Sequence, residues 1–490
     1  MNTLMNGVNY SNLFAITLPE TILEIVSLVV LIVDLGLLRK SAQATRMAAA
    51  CMLGVLGCTL LMLWLFAHPQ AVGLATDALA GTPLVAAVQI AILILTALVL
   101  FLSVKAEFSR NPGEYVTIVL LAATGMLLVT AARDLLVIFV ALELLSLSLY
   151  VLTAFAKSSA QSSEAALKYY LFGGMSAAMM LFGFSYLYGL TGSTNLTDIA
   201  AALATQGTSP LLVIALVLVA TGLGFKVAAV PFHLWAPDTY QGAPAPVTAL
   251  IASGSKVASF AVLIALTGGV IGSQPDNSSP TWIVLLIWMA AGSILLGNLA
   301  ALVQTSVRRL LAYSAIAHAG YMLLGIAAHT AQSGAAVLYY AITYALTTIG
   351  AFGVIAVVER SAGTDRMDAF AGLSRRNPLL AGTMLVFLLS LAGIPPLVGF
   401  WAKFNLFAAV LRSPFAGHWA FPLVAMALAA SAVSLYYYLQ VLKRVYVVKA
   451  THTEPMQISL LELTTLVLIA LAVGLLGIFP NTLSGWIPLG

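Results

Sequence analysis

The sequence predicts an all-α polytopic membrane protein of about fourteen transmembrane helices, and three observations predict it. The chain is 61% hydrophobic and 8% charged over 490 residues, a composition outside the soluble range. Its apolar runs recur at roughly 20 residues, the length that crosses a bilayer core. Its basic residues fall almost entirely in alternate loops.

Taken in order, the expected spans are about 18–38, 47–67, 83–104, 115–132, 133–155, 165–189, 210–235, 246–267, 281–304, 309–328, 333–358, 379–411, 419–446 and 457–479. The first apolar stretch carries Glu20, Glu24 and Asp34 and is long enough to span, so it reads as a helix rather than a cleaved signal. Of the 21 Lys and Arg, fifteen stand in the loops after spans 1, 3, 5, 9, 11 and 13. Only Arg133 and Arg412 stand on the other side, which makes the odd loops cytoplasmic and turns both termini outward. Cys51 and Cys58 lie in one apolar run without metal or redox spacing and read as packing residues. No nucleotide, haem or iron–sulfur motif is visible, and a net charge of +4 spread over short loops is no nucleic-acid signal.

The whole chain, 1–490, reads as one membrane domain. Residues 1–110 hold the first three helices, 111–270 a five-helix repeat, 271–450 its inverted copy, and 451–490 the last helix. Arg133-Asp-Leu-Leu, with Glu143 ten residues on, matches Arg308-Arg-Leu-Leu, with His318 ten residues on. Ala165-Ala-Leu-Lys-Tyr-Tyr matches Ala335-Ala-Val-Leu-Tyr-Tyr. The offset corresponds to five helices; five is odd, so the copy is upside down, an arrangement that transporters use. Span 7 is interrupted at Val230-Pro-Phe-His and span 12 at Gly393-Ile-Pro-Pro. Proline frees backbone carbonyls, which in lipid require protein or water partners.

Four lysines stand inside apolar runs: Lys168, Lys226, Lys256 and Lys403. A charge at membrane depth is costly and is normally kept for a task. Glu143 lies ten residues into span 5, about 15 Å deep. A carboxylate there holds its charge only beside a cation, and Lys226 is the partner expected. His233 sits at the span 7 break and His318 on span 10; an imidazole titrates near physiological pH. Glu143, Lys226, Lys256, His318 and Lys403 thus form a row of titratable groups, an ion or proton pathway. The plain alternatives are a static buried ion pair, packed histidines and snorkelling, which weighs most on Lys168 near its helix end.

These residues resemble those of the antiporter-like subunits of proton-pumping respiratory complex I, the bacterial NADH:quinone oxidoreductase. The resemblance covers essentially the whole chain and is nearest to the subunit N branch. It rests on Leu223-Gly-Phe-Lys-Val-Ala-Ala-Val-Pro-Phe-His-Leu-Trp-Ala-Pro-Asp-Thr-Tyr-Gln-Gly, on Glu164-Ala-Ala-Leu-Lys-Tyr-Tyr and on Leu391-Ala-Gly-Ile-Pro-Pro-Leu-Val-Gly-Phe-Trp-Ala-Lys-Phe. A sister subunit carries Glu in span 12, where this chain has Lys403. The resemblance implies Glu143 and Lys226 as a coupled pair, Lys256 as central relay and Lys403 as outward gate. It also implies a place in the bacterial inner membrane among other membrane-arm subunits, including the sister antiporter-like ones. NADH, a quinone, FMN and iron–sulfur clusters would serve the complex, with no cofactor bound by this chain. The competing class is a secondary cation/proton antiporter; oxygen-rich acidic sites would favour Na⁺ or K⁺, whereas a row of Lys and His favours protons.

Overall fold

The computed structural model describes residues 10–67, 76–205, 209–270, 281–413, 419–449, 456 and 458–487. Among these no strand forms. The helices are α1 (Tyr10–Ile32, continued by a π turn, Val33–Leu37), α2 (Gln43–Ala67), α3 (Pro83–Ser103), α4 (Pro112–Ala131), α5 (Leu135–Thr153), α6 (Ala160–Thr191) and α7 (Leu196–Thr205). There follow α8 (Pro210–Val227), α9 (Trp235–Gly242), α10 (Ala245–Ala252), α11 (Gly254–Val270), α12 (Thr281–Ala301), α13 (Val307–Ala327) and α14 (Ala331–Ala362). The last are α15 (Leu373–Arg376), α16 (Pro378–Ala392), α17 (Val398–Leu411), α18 (Ala420–Tyr446), α19 (Leu460–Ile478) and α20 (Asn481–Ser484). Thirteen segments among the described residues are long and apolar enough to cross a membrane, and the shorter pair α16–α17 supplies the broken span 12. Local sequence starts many of them. Thr82, Asp134, Ser159, Ser209, Ser306, Asn377 and Ser459 each accept a backbone N–H of the first turn with their side chain.

The inverted repeat is visible in matched details. α6 and α14 are both 32 residues long and both end at a left-handed glycine, Gly192 (φ +74°) and Gly363 (φ +68°). In the first copy Leu135 N donates to Thr194 O and Leu196 N to Arg133 O; in the second Val307 N donates to Asp365 O and Met367 N to Thr305 O. Gly125 lets α4 lie against the backbone of α5 at Ala141 and Leu145, and Gly297 lets α12 lie against α13 at Tyr313 and Ala317. A Cβ at either glycine would stand 2.7 or 2.6 Å from a backbone nitrogen. Helix α5 packs on α6 and α13 on α14; α6 packs on α8 and α9 as α14 packs on α16 and α17.

This packing corrects one sequence-based equivalence. Residues 125, 141 and 145 answer to 297, 313 and 317, so Glu143 answers to Ala315, and His318 answers to Ser146. The Arg-x-Leu-Leu match is three residues out of register, because apolar helices resemble one another at any shift by a turn.

Two further expectations change. Span 7 is interrupted as expected at Val230-Pro-Phe-His, but the helix already stops at Val227, three residues earlier; Ala228 is left-handed (φ +61°) and turns lead to α9. Span 8, expected unbroken over 246–267, is broken at Ser253 (φ −116°, ψ −89°) without any proline. There Gly254 faces Met126 Sδ of α4, 2.9 Å from where a Cβ would stand. The break at span 12 falls where expected, with Gly393 left-handed (φ +88°). The peptides Val230-Pro231 and Pro395-Pro396 are cis.

Candidate functional site

The site begins on α5. Glu143 and Ser146 stand three residues apart and therefore share one face of the helix. Lys226, in the last turn of α8, reaches both. Its Nζ lies 3.8 Å from Glu143 Oε1 and donates to Ser146 Oγ, which in turn donates to the Leu142 carbonyl. Glu143 Oε1 is buried and has no hydrogen-bond partner among the described residues, so Lys226 is its one compensating charge there. The break at Ala228 ends α8 just past Lys226, and Val230 N is taken by Ser293 Oγ of α12 at 2.9 Å. A side chain of the second repeat thus satisfies backbone freed by the break in the first.

Lys256 stands three residues after the Ser253 break, fully inside the protein. Its Nζ donates to the Ala315 carbonyl at 2.6 Å and lies 5.5 Å from the centre of the Tyr344 ring. Ala315 is the residue that answers to Glu143, so the second repeat offers a backbone oxygen where the first offers a carboxylate.

His318 is held by hydroxyls. Nδ1 is 2.7 Å from Tyr340 Oη and Nε2 is 3.3 Å from Tyr438 Oη, which lies 2.5 Å from Ser314 Oγ. Its ring packs against Tyr344 (centroids 4.8 Å) on one side and Tyr321 (5.8 Å) on another. Tyr344 is the ring beside Lys256, and Tyr321 is the ring beside Lys403, whose Nζ lies 5.6 Å from its centre. His318 therefore stands between the two lysines, one aromatic ring from each.

Lys403, on α17, reaches back across the break. Its Nζ donates to the carbonyls of Leu391 (3.1 Å) and Ala392 (2.9 Å), at the buried C-terminal end of α16, and to Ser431 Oγ of α18 (2.8 Å). Three donors meet three acceptors, and the cation sits at the negative end of a helix dipole. Its side chain also explains Gly393: a Cβ there would come 2.9 Å from Lys403 Cδ. Between His318 and this break is a cavity of about 10 Å³ lined by Tyr340, Thr343, Tyr344, Thr347, Ser390 and Leu391 among others. That is room for about one water with several polar partners.

Two expected site residues stand apart from this row. His233 lies in the α8–α9 break, buried, with Nδ1 unpartnered among the described residues, and none of the contacts above includes it. Lys168 is partly exposed and pairs with Glu164 (2.7 Å) and Asp238 (2.8 Å), and Asp238 also binds Arg309 (2.6 Å). It belongs to a charge cluster joining α6, α9 and α13 on the basic-loop side. Sequence reasoning missed Ser146, Ser314, Ser431, Asp238 and the tyrosines 321, 340, 344 and 438. Ser146 was findable, one turn from Glu143 on the same face. The tyrosines gave no signal, because aromatic residues are as common in a plain membrane core.

A family model described as NADH:quinone oxidoreductase/Mrp antiporter, transmembrane, matches residues 132–434. A curated relative from Acidobacterium capsulatum, NADH-quinone oxidoreductase subunit N 2, is 49% identical and covers 99% of this chain and 100% of its own. A chain of respiratory complex I from Thermus thermophilus, solved with bound aureothin, superposes with a TM-score of 0.80 at 34% identity, over 96% of this chain and 100% of that one. A chain of the Mrp complex from a Dietzia species gives a TM-score of 0.81 at 20% identity, over 96% of each; that likeness is one of fold alone.

Proposed function

We propose that this chain, which belongs to the subunit N family of the NADH-quinone oxidoreductases, carries protons through Glu143, Lys226, Lys256, His318 and Lys403. Electron transfer from NADH to quinone, with its flavin and iron–sulfur clusters, takes place in other subunits of the complex. The multi-pass chain lies among the other membrane-arm subunits, in the bacterial cytoplasmic membrane. The observation that carries the reading is the buried contact of Lys226 with Glu143 and Ser146, continued through Lys256 and His318 to Lys403 at the second break.

Each lysine is held differently, and the difference gives the pathway its order. Lys226 shares its proton with a carboxylate and a hydroxyl. Lys256 has one carbonyl acceptor and a ring face, so its ammonium is the least satisfied of the three. Lys403 is fully bonded until α16 and α17 shift against each other. A charge moved at one station changes what the next can hold, since such groups interact strongly at low dielectric. His318, with a hydroxyl on each ring nitrogen, passes a proton by changing tautomer. The small cavity beside it leads toward Ser390 and Leu391, next to the Lys403 acceptors. His233 and Lys168 take no direct step. The same reading keeps the chain one membrane domain, 1–490, with residues 111–270 and 271–450 as the two half-pathways. A row of lysine and histidine carries protons rather than Na⁺ or K⁺, which sets the antiporter reading second.

Glu143→Gln in the assembled complex tests this. Proton pumping and quinone reductase activity are expected to fall together while the subunit stays in the complex, and Glu143→Asp is expected to keep part of both. Normal pumping in Glu143→Gln refutes the pathway.

A further inference from the structure

α1 runs along an edge of the bundle, with a third of its spanning window buried. Glu24 is near the middle of that span, Leu13–Leu37, so its carboxyl stands near the centre of the hydrocarbon layer. It faces outward. Its neighbours on that surface are Ile25 (55% exposed), Leu28 (57%) and Ile32 (68%). Among the described residues its carboxylate has no hydrogen bond or ion pair. The outward surfaces of α2 (Met52, Leu56, Leu60, Leu63) and α19 (Leu468, Leu471, Leu475) carry no charge at comparable depth, and the one exposed hydroxyl there on α2, Thr59, donates to its own helix at Val55 O. One turn away on α1, Glu20 is 6% exposed; its Oε1 accepts from Gln89 Nε2 of α3 at 3.2 Å, while its Oε2 is buried and unpartnered.

A carboxyl at the centre of a bilayer and open to acyl chains has no donor to meet it, and lipid headgroups are about 15 Å away. We propose that the Glu24 face of α1 is a docking surface for a transmembrane helix of a neighbouring membrane-arm subunit, and that this helix presents a hydrogen-bond donor, cationic or neutral, at mid-membrane. The partner is specified by complementarity: an apolar face matching Ile25, Leu28 and Ile32, interrupted at one level by a Lys, Arg, His, Asn or hydroxyl group. Intramembrane helices use such single polar contacts to fix register within an otherwise greasy interface. The inference rests on the chain's place in a membrane-arm assembly and not on the proton pathway.

The test uses the intact complex. A photoreactive amino acid is placed at Ile25 or Leu28 of the otherwise unchanged chain, and the adducts are identified by mass spectrometry. A crosslink from both positions to one membrane-arm subunit is expected. In parallel, Glu24→Leu is expected to lower severalfold the amount of chain that stays in the complex through detergent extraction, with Glu24→Gln retaining most of it. Adducts to lipid alone overturn the docking surface, and full retention of Glu24→Leu overturns the polar contact. Pumping is not read in either arm, so failure of the Glu143 pathway leaves this result unaffected.

Discussion

At the α8–α9 break the lysine precedes the break, in the last turn of α8, and its partners are side chains of α5. At the α16–α17 break the lysine follows it, on α17, and its partners are the carbonyls that end α16 together with Ser431. The backbones are nonetheless built alike. Each first half ends in a left-handed residue, Ala228 or Gly393, followed by a cis proline. Aligned on those residues, Lys226 answers to Leu391 and Lys403 to Asp238. One scaffold thus carries its ionisable groups in opposite halves, and inversion of the second repeat puts Asp238 on the basic-loop side and Lys403 on the other. The first copy balances charge with charge, whereas the second balances it with backbone dipoles and hydroxyls. A carboxylate partner can accept the proton itself; a carbonyl can only hold it in place.

The largest effect that can sharpen this contrast is expected at Lys226. Replacing it with Met leaves a half-buried Glu143, with its buried Oε1, uncompensated, a cost below the roughly 3–5 kcal/mol of a fully buried pair. Removing both partners should cost less than the sum, with a coupling of about 0.5–3 kcal/mol in a double-mutant cycle on activity and assembly. Strictly additive losses would show that the 3.8 Å contact is not a working pair.

Lys403 comes next. Lys403→Arg keeps the charge but does not release a proton at physiological pH, so pumping is expected to fall nearly as far as in Lys403→Ala. Full pumping by the Arg variant would make Lys403 an electrostatic fixture and place the exit elsewhere.

A smaller change is expected from Ser431→Ala, which removes one of three acceptors and is worth about 0.5–1.5 kcal/mol. Turnover measured against pH should shift in this variant while assembly is retained; an unchanged profile would mean that the two carbonyls suffice. Tyr438→Phe is expected to act on the same scale, by removing the hydroxyl that His318 Nε2 and Ser314 share. If His318 relays protons, this variant slows pumping more than it lowers thermal stability. The reverse ranking would make His318 a packing residue.

Much of this was legible in the sequence, and the reasons are local. Hydrophobic length sets the spans, capping residues start the helices, and proline marks two breaks, at Pro231 and, with Gly393, at Pro395. Depth follows from counting along a helix, so Glu143, Lys226, Lys256 and Lys403 could be placed inside the membrane without coordinates. What only the tertiary structure decided is which groups meet. The register of the two repeats came from Gly125 of α4 against α5 and Gly297 of α12 against α13, contacts between helices that apolar sequence does not encode uniquely. At the Ser253 break Gly254 lies against Met126 of another helix, and no proline marks the break in the sequence. The acceptors of Lys256 and Lys403 are backbone carbonyls, which every residue possesses and no sequence motif can announce; only the ending of a helix beside an ammonium turns them into a site.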